Sequence, residues 1–166
     1  MKVTSRLVQL GVLFAFVSTP AFAHGTEAHG KPATQRAAAE QKAFGIAGAP
    51  ARVTRTIDMR MTDEMRFEPA VIQVKQGETI RFRHANVGKV MHEMVIGTRA
   101  DLEEHAALMR KFPNMEHDEP HMVHVAAGKR GDMVWQFNRV GDFEFACLIP
   151  GHFEAGMRGT IKVTAK

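Results

Sequence analysis

The residues best suited to chemistry lie in one short stretch, Cys147-Leu148-Ile149-Pro150-Gly151-His152-Phe153-Glu154-Ala155-Gly156-Met157. It holds the only cysteine of the 166-residue chain, followed at equal spacing by a histidine and a methionine. Thiolate, imidazole and thioether are soft and borderline donors, the kind that select copper over calcium or magnesium. One tight loop therefore carries most of a mononuclear copper site. Trigonal sites of this type take two imidazoles and a thiolate with a weak axial thioether, so a second histidine must arrive from elsewhere. Methionine also fills cores readily, but Gly156 and Gly159 flank Met157 and suit a tight return of the chain toward a metal.

The chain begins with features of an export signal. Lys2 and Arg6 precede the apolar run Leu7 to Val17, and Ala21-Phe22-Ala23 is a small-residue cleavage pattern. The apolar run is shorter than the roughly 20 residues that span a bilayer. Residues 1–23 are therefore expected to be a signal peptide, with His24 as the mature N-terminus, and the mature protein is expected in the periplasm with no membrane span. In such an oxidising compartment a lone exposed thiol would be open to oxidation or intermolecular pairing, and metal ligation protects it.

Two further regions follow. Residues 24–51 are rich in Ala, Gly, Gln and Pro with little apolar periodicity, and they read as a flexible tail or linker containing His24 and His29. From residue 52 to 166, short β-branched and aromatic runs punctuated by Gly, Pro and Asn predict an all-β domain. Strands are predicted near 52–60, 69–75, 78–85, 90–97, 121–126, 131–138, 141–147 and 158–165. A single helical insertion interrupts them, because Leu102, Ala106, Met109 and Phe112 recur at helical spacing, with Asp101 or Thr98 as cap and Pro113 as stop. His105 falls on this helix as a solvated or partly buried residue.

Strand alternation decides which side chains share a face. Phe143, Phe145 and Cys147 line up, so the cysteine arrives from the buried side of its strand. Val90, His92, Met94 and Ile96 also point together, which sets His92 in an apolar row where it can meet Cys147. His92 is the candidate for the missing imidazole.

These features resemble the cupredoxins, the blue copper family that includes plastocyanin, pseudoazurin, auracyanin and rusticyanin. The resemblance covers about residues 52–166. It is carried by Phe67-Glu68-Pro69, Ile72-Gln73-Val74, Gly77-Glu78-Thr79-Ile80, the Asn86 to His92 segment, Gly141-Asp142-Phe143-Glu144-Phe145 and the Cys147 to Met157 loop. The spacing of that loop is most similar to the rusticyanin and auracyanin type. The resemblance implies a Greek-key β-sandwich holding one type 1 copper through His92, Cys147 and His152, with Met157 as axial ligand, cycling between Cu(I) and Cu(II). Asn86 is the candidate for a hydrogen bond to the Cys147 sulfur.

The chain also carries eleven methionines. Met59, Met61 and Met65 fall together, and a second cluster runs Met109, Met115, His117, His121, Met122 and His124. Such donors either fill gaps and face solvent or hold Cu(I) loosely. Candidate secondary copper ligands are His24, His29, Met115, His117, His121 and Met122, a decoration similar to cupredoxins of the bacterial copper-tolerance type. Two functions remain open on the sequence: a periplasmic one-electron carrier, taken as the main reading, and a copper-tolerance protein that binds or buffers copper. The expected partner is a periplasmic redox protein such as a cytochrome, or copper-handling proteins, and the chain is expected to be a monomer. No phosphate-binding loop, Cys-x-x-Cys pair or serine-hydrolase elbow occurs. The sequence also lacks the clustered basic stripe that nucleic-acid binding requires. With one domain and no second catalytic group, the protein is not expected to be an enzyme.

Overall fold

A computed structural model describes residues 39–113, 115 and 117–166. The expected signal peptide, His24 and His29 lie outside these residues. Ten strands form two five-stranded sheets. They are β1 (Ile46–Ala47), β2 (Arg55–Thr62), β3 (Arg66–Glu68), β4 (Val71–Lys75), β5 (Thr79–Asn86), β6 (His92–Gly97), β7 (Met122–Val125), β8 (Arg130–Gln136), β9 (Gly141–Ala146) and β10 (Arg158–Thr164). One sheet runs β1-β8-β5-β2-β3 and the other β4-β10-β9-β6-β7. Pairing is antiparallel except for β2 with β5 and β4 with β10. The all-β sandwich with one helix is as the sequence predicts.

Between the sheets lies the main core. β5 alternates Ile80, Phe82 and His84 inward with Arg81 and Arg83 outward; Met133 and Trp135 join them from the neighbouring β8, and Phe143 and Phe145 meet them from β9 of the facing sheet. Met59 and Met61 are buried in the same core, so these two methionines are packing residues, and Met109 and Met122 are buried in a second one.

The helix α1 (Arg99–Lys111) builds that second core. Thr98 is its N-cap in a reciprocal capping box: its hydroxyl accepts from the Asp101 N–H while the Asp101 carboxylate accepts from the Thr98 N–H. Leu102, Ala106 and Met109 turn inward onto Val95, Met122, Ala146 and Leu148, whereas Phe112 stays exposed. The consequence for β6 is burial on both faces, from His92 through Gly97.

The segment 39–51, read from sequence as part of a flexible tail, is packed. Phe44 is buried against Trp135, whose indole Nε1–H donates to the Phe44 carbonyl at 3.0 Å, and β1 pairs with β8. One aromatic in an alanine-rich run has no periodicity to announce it.

His84 is buried, with Nδ1 3.3 Å from the Gly131 carbonyl and Nε2 3.0 Å from Met94 Sδ. Burial pulls its pKa down to about 4. The folded protein therefore prefers the neutral ring. Its stabilising effect is present above the unfolded value of about 6.5 and is lost as pH falls toward 4, on the order of 3 kcal/mol in full. Urea unfolding of copper-free protein between pH 7 and pH 4 is expected to show this slope reduced in His84→Gln. Parallel slopes for the two proteins would refute it.

Candidate metal centre

The Cys147 to Met157 loop is set by hydrogen bonds at both ends. Cys147 follows β9, and its N–H donates to the Met157 carbonyl at 3.0 Å, closing the loop where β10 begins. Inside it, the His152 N–H donates to Ile149 O and the Met157 N–H to His152 O. Gly151 and Gly156 turn with φ of 90° and 93°, a region costly for residues with a Cβ. From β3, the Arg66 guanidinium donates to Ala155 O at 3.0 Å and anchors the loop's far side.

His92, Cys147 and His152 come together, with one donor atom of each within 4.8 Å of the others. Cys147 Sγ lies 3.3 Å from His152 Nδ1, and the two imidazole rings are 5.1 Å apart. His92 and Cys147 are fully buried, while His152 reaches the surface. Met157 is fully buried in the same core.

A carboxylate that the sequence reading missed orients His92. Asp63, in the turn between β2 and β3, places Oδ1 3.1 Å from His92 Nε2. It also accepts the Lys89 N–H at 2.7 Å, so the β2–β3 turn and the loop before β6 are held together. Gly88 permits the approach, since a Cβ there would run into the Asp63 carboxylate. These hydrogen bonds, that of Lys89 first, hold the Asp63 carboxyl below its usual range. With Nε2 held, the other ring nitrogen, Nδ1, is buried without a hydrogen-bond partner. A buried orphan nitrogen of this kind is rare in folded proteins, and its lone pair is one that could hold a metal ion.

The electrostatics also suit a cation. Burial pushes the Cys147 thiol up to about 12, assisted by the Glu93 carboxylate and opposed by the Glu93 backbone N–H, 3.5 Å from the sulfur. The metal-free thiol is thus protonated near neutral pH, and an ion that binds it must displace the proton. Burial, then the His92 ring, lowers the pKa of His152, which leaves a neutral imidazole free to donate. Two imidazoles and a thiolate with a buried thioether nearby fit copper by donor type.

Asn86 does not serve the sulfur. Its amide donates to Val90 O and Val125 O, both at 2.8 Å, tying the loop before β6 to β7. The groups directed at Cys147 Sγ are the backbone N–H of Glu93 and that of Ile149, donors that no side-chain pattern can reveal. Of the expected secondary copper ligands, Met115 and His117 border one cleft. His121 packs at a steep angle against the rings of Phe44 and Trp135, and Met122 is core. His105, on α1, has Nε2 2.8 Å from His117 Nε2, and burial lowers its pKa. No helix among the described residues is long and apolar enough to cross a membrane.

Comparison with known proteins agrees with this geometry. Residues 53–164 match the family model described as copper binding proteins of the plastocyanin/azurin family. The chain is 54% identical over 120 residues to the copper-resistant cuproprotein CopI of Rubrivivax gelatinosus, covering 72% of this chain and 73% of the relative. It is 33% identical to the copper-resistant cuproprotein CopI of Pseudomonas aeruginosa, over 95% of this chain and 93% of that one. Among solved structures, auracyanin B superposes with a TM-score of 0.59 at 20% identity, over 77% of this chain and 99% of its own. A reduced auracyanin from Roseiflexus castenholzii gives 0.57 at 18% identity, over 68% and 98%. At that identity the two auracyanins bear on the fold alone, whereas the family match and the curated relatives bear on copper. The chain belongs to the plastocyanin/azurin family of copper-binding proteins: it is a cupredoxin of the bacterial copper-resistance type.

Proposed function

We propose that this protein is an exported, periplasmic copper-tolerance protein that binds one type 1 copper ion through His92, Cys147 and His152, with Met157 as axial ligand. The observation that carries the reading is the convergence of two imidazoles and one thiol within 4.8 Å around the unpartnered His92 Nδ1. The names of the curated relatives support tolerance as the role in which the site is used, so the electron-carrier reading that leads on sequence alone takes second place.

The chain's own residues supply a fixed cage. Asp63 holds the His92 ring, the Glu93 N–H faces the sulfur, and loop hydrogen bonds fix the His152 and Met157 backbones. Copper so held would exchange one electron between Cu(I) and Cu(II) with little change of cage, and oxidation of bound Cu(I) would pass that electron to a redox partner. Exposed Val87, Val90 and Met91 beside His92 form an apolar rim where a copper-handling protein or a cytochrome would dock. This rim is the observation that keeps electron transfer as a second reading.

Deletion of the gene is expected to make the bacterium copper-sensitive, with rescue by the wild type and not by Cys147→Ser. Equal copper resistance with and without the gene would refute the tolerance role. Met157→Leu is expected to retain copper and raise the reduction potential, because losing a weak axial donor favours Cu(I). An unchanged potential on redox titration would show that Met157 is not bound.

A further inference from the structure

His92 opens β6 and Cys147 follows β9, its neighbour in the sheet, and one residue ties the two together from outside the cage. Glu93 follows His92 and points its backbone N–H at Cys147 Sγ from 3.5 Å. On Oε1 it accepts the N–H of Leu148, the residue after Cys147, at 2.7 Å. Its Oε2 lies 2.8 Å from His124 Nε2 across the β6–β7 ladder. Strand alternation turns this side chain away from His92 and Met94, to the side where Val95, Ala146 and Leu148 pack beneath α1. Glu93 is fully buried there.

A carboxylate in this position acts on copper through its charge. Two neutral imidazoles and one thiolate leave Cu(II) with a net positive charge, and the one electron gained on reduction takes the cage to neutrality. A negative charge nearby stabilises the more positive state, so it favours Cu(II). The size of the effect depends on screening, which is weak among buried groups and strong beside water. Asp63, the carboxylate at His92, is 39% exposed, whereas Glu93 is 0% exposed, so the Glu93 charge is the less screened of the two. His124 is 34% exposed and shares its own ring charge with solvent, so it offsets the carboxylate only in part.

We infer that Glu93 sets the redox preference of the centre: its buried charge biases bound copper toward Cu(II), while its side chain clasps the Cys147 segment to β6. The inference rests on the copper reading of His92, Cys147 and His152 and adds how that cage is poised. Glu93 touches no ligand atom with its carboxylate and is a positioning residue, acting through its neighbours Cys147 and Leu148. A centre biased in this way gives up the electron of bound Cu(I) to a redox partner more readily than the same cage without the charge.

The test compares variants of the full mature chain loaded with one equivalent of copper. Glu93→Gln keeps an oxygen for the Leu148 N–H and removes the charge. It should retain the visible band, and the ratio of Cu(I) to Cu(II) affinity should rise about tenfold, a rise of about 59 mV in the one-electron potential on mediated redox titration. Competition with chelators selective for each oxidation state should show Cu(II) binding weakened and Cu(I) binding unchanged, whereas loss of a purely structural contact would weaken both together. Glu93→Asp, which keeps the charge but shortens the reach to Leu148, should stay below Glu93→Gln in potential. Asp63→Asn should raise the potential by less than Glu93→Gln does, and a larger rise there would overturn the assignment to Glu93. Should Glu93→Gln fail to fold, His124→Lys sets a fixed positive charge against the same carboxylate from a partly exposed strand position and should raise the potential in the same direction. A wild type without the thiolate band would refute the cage itself and the inference with it. A wild type with the band, and a potential that neither Glu93→Gln nor His124→Lys moves, would overturn this inference alone.

Discussion

Cys147→Ser is expected to abolish the intense visible absorption of the copper-loaded protein while leaving the sandwich folded. The absorption arises from charge transfer between thiolate sulfur and copper, and Cys147 is the only sulfur of that kind in the chain. A serine hydroxyl is a hard, barely acidic donor that does not replace a thiolate for copper. The fold should survive because the position keeps its partners: the Glu93 N–H and the His152 ring both face the sulfur and remain in reach of an oxygen. Copper affinity should fall by more than the roughly 10–100-fold that losing an outer hydrogen-bond partner costs. Circular dichroism and the unfolding midpoint check the fold, and the visible spectrum checks the ligand. Colour retained in this variant would refute the assignment of Cys147.

Asp63→Ala is expected to weaken copper binding about 10–100-fold without removing any donor. The carboxylate fixes the His92 ring through Nε2 and holds the Lys89 N–H, so it sets the direction in which Nδ1 points. Without it the ring is free to turn in a buried slot, and part of the binding energy goes to reordering it. Asp63→Asn should recover part of the loss, because an amide oxygen still accepts from Nε2–H but carries no charge. Competition with a chelator of known affinity measures both. Identical affinities for wild type and alanine variant would show that the 3.1 Å contact has no role in orienting the ligand.

Much of the centre was legible because ligand chemistry and strand parity both act over short spans. Cys147, His152 and Met157 announce themselves by spacing in one loop. Alternation placed His92, Met94 and Ile96 on one buried face, and helical spacing placed Leu102, Ala106 and Met109 inward, as the structure has them. What escaped depends on contacts between distant segments. Asp63 sits 29 residues before His92 in a charged turn that reads as solvated surface. Glu93 alternates to the outward face of β6 and looks exposed until α1 closes over it. His105 reads as an ordinary helix residue until the segment after α1 brings His117 back to it. β1 and β3, of two and three residues, are too short to show a period.

The misses at Glu93 and His105 share one cause, since the helical insertion converts an outer sheet face into an interior. A plain sandwich would leave Glu93 and His124 in water, where a cross-strand pair contributes little. Covered by α1, the same pair sets a fully buried Glu93 carboxylate 2.8 Å from the His124 ring. The insertion therefore reaches the candidate centre through β6, where it buries the residue that follows His92.

The most direct test of the central claim is the combined visible and electron paramagnetic resonance spectrum of the mature protein with one equivalent of Cu(II). A cage of Cys147, His92 and His152 predicts an intense thiolate-to-copper band together with the compressed copper hyperfine splitting that covalency with sulfur produces. Weak ligand-field bands alone, with the wide splitting of copper bound only by nitrogen and oxygen, would contradict it.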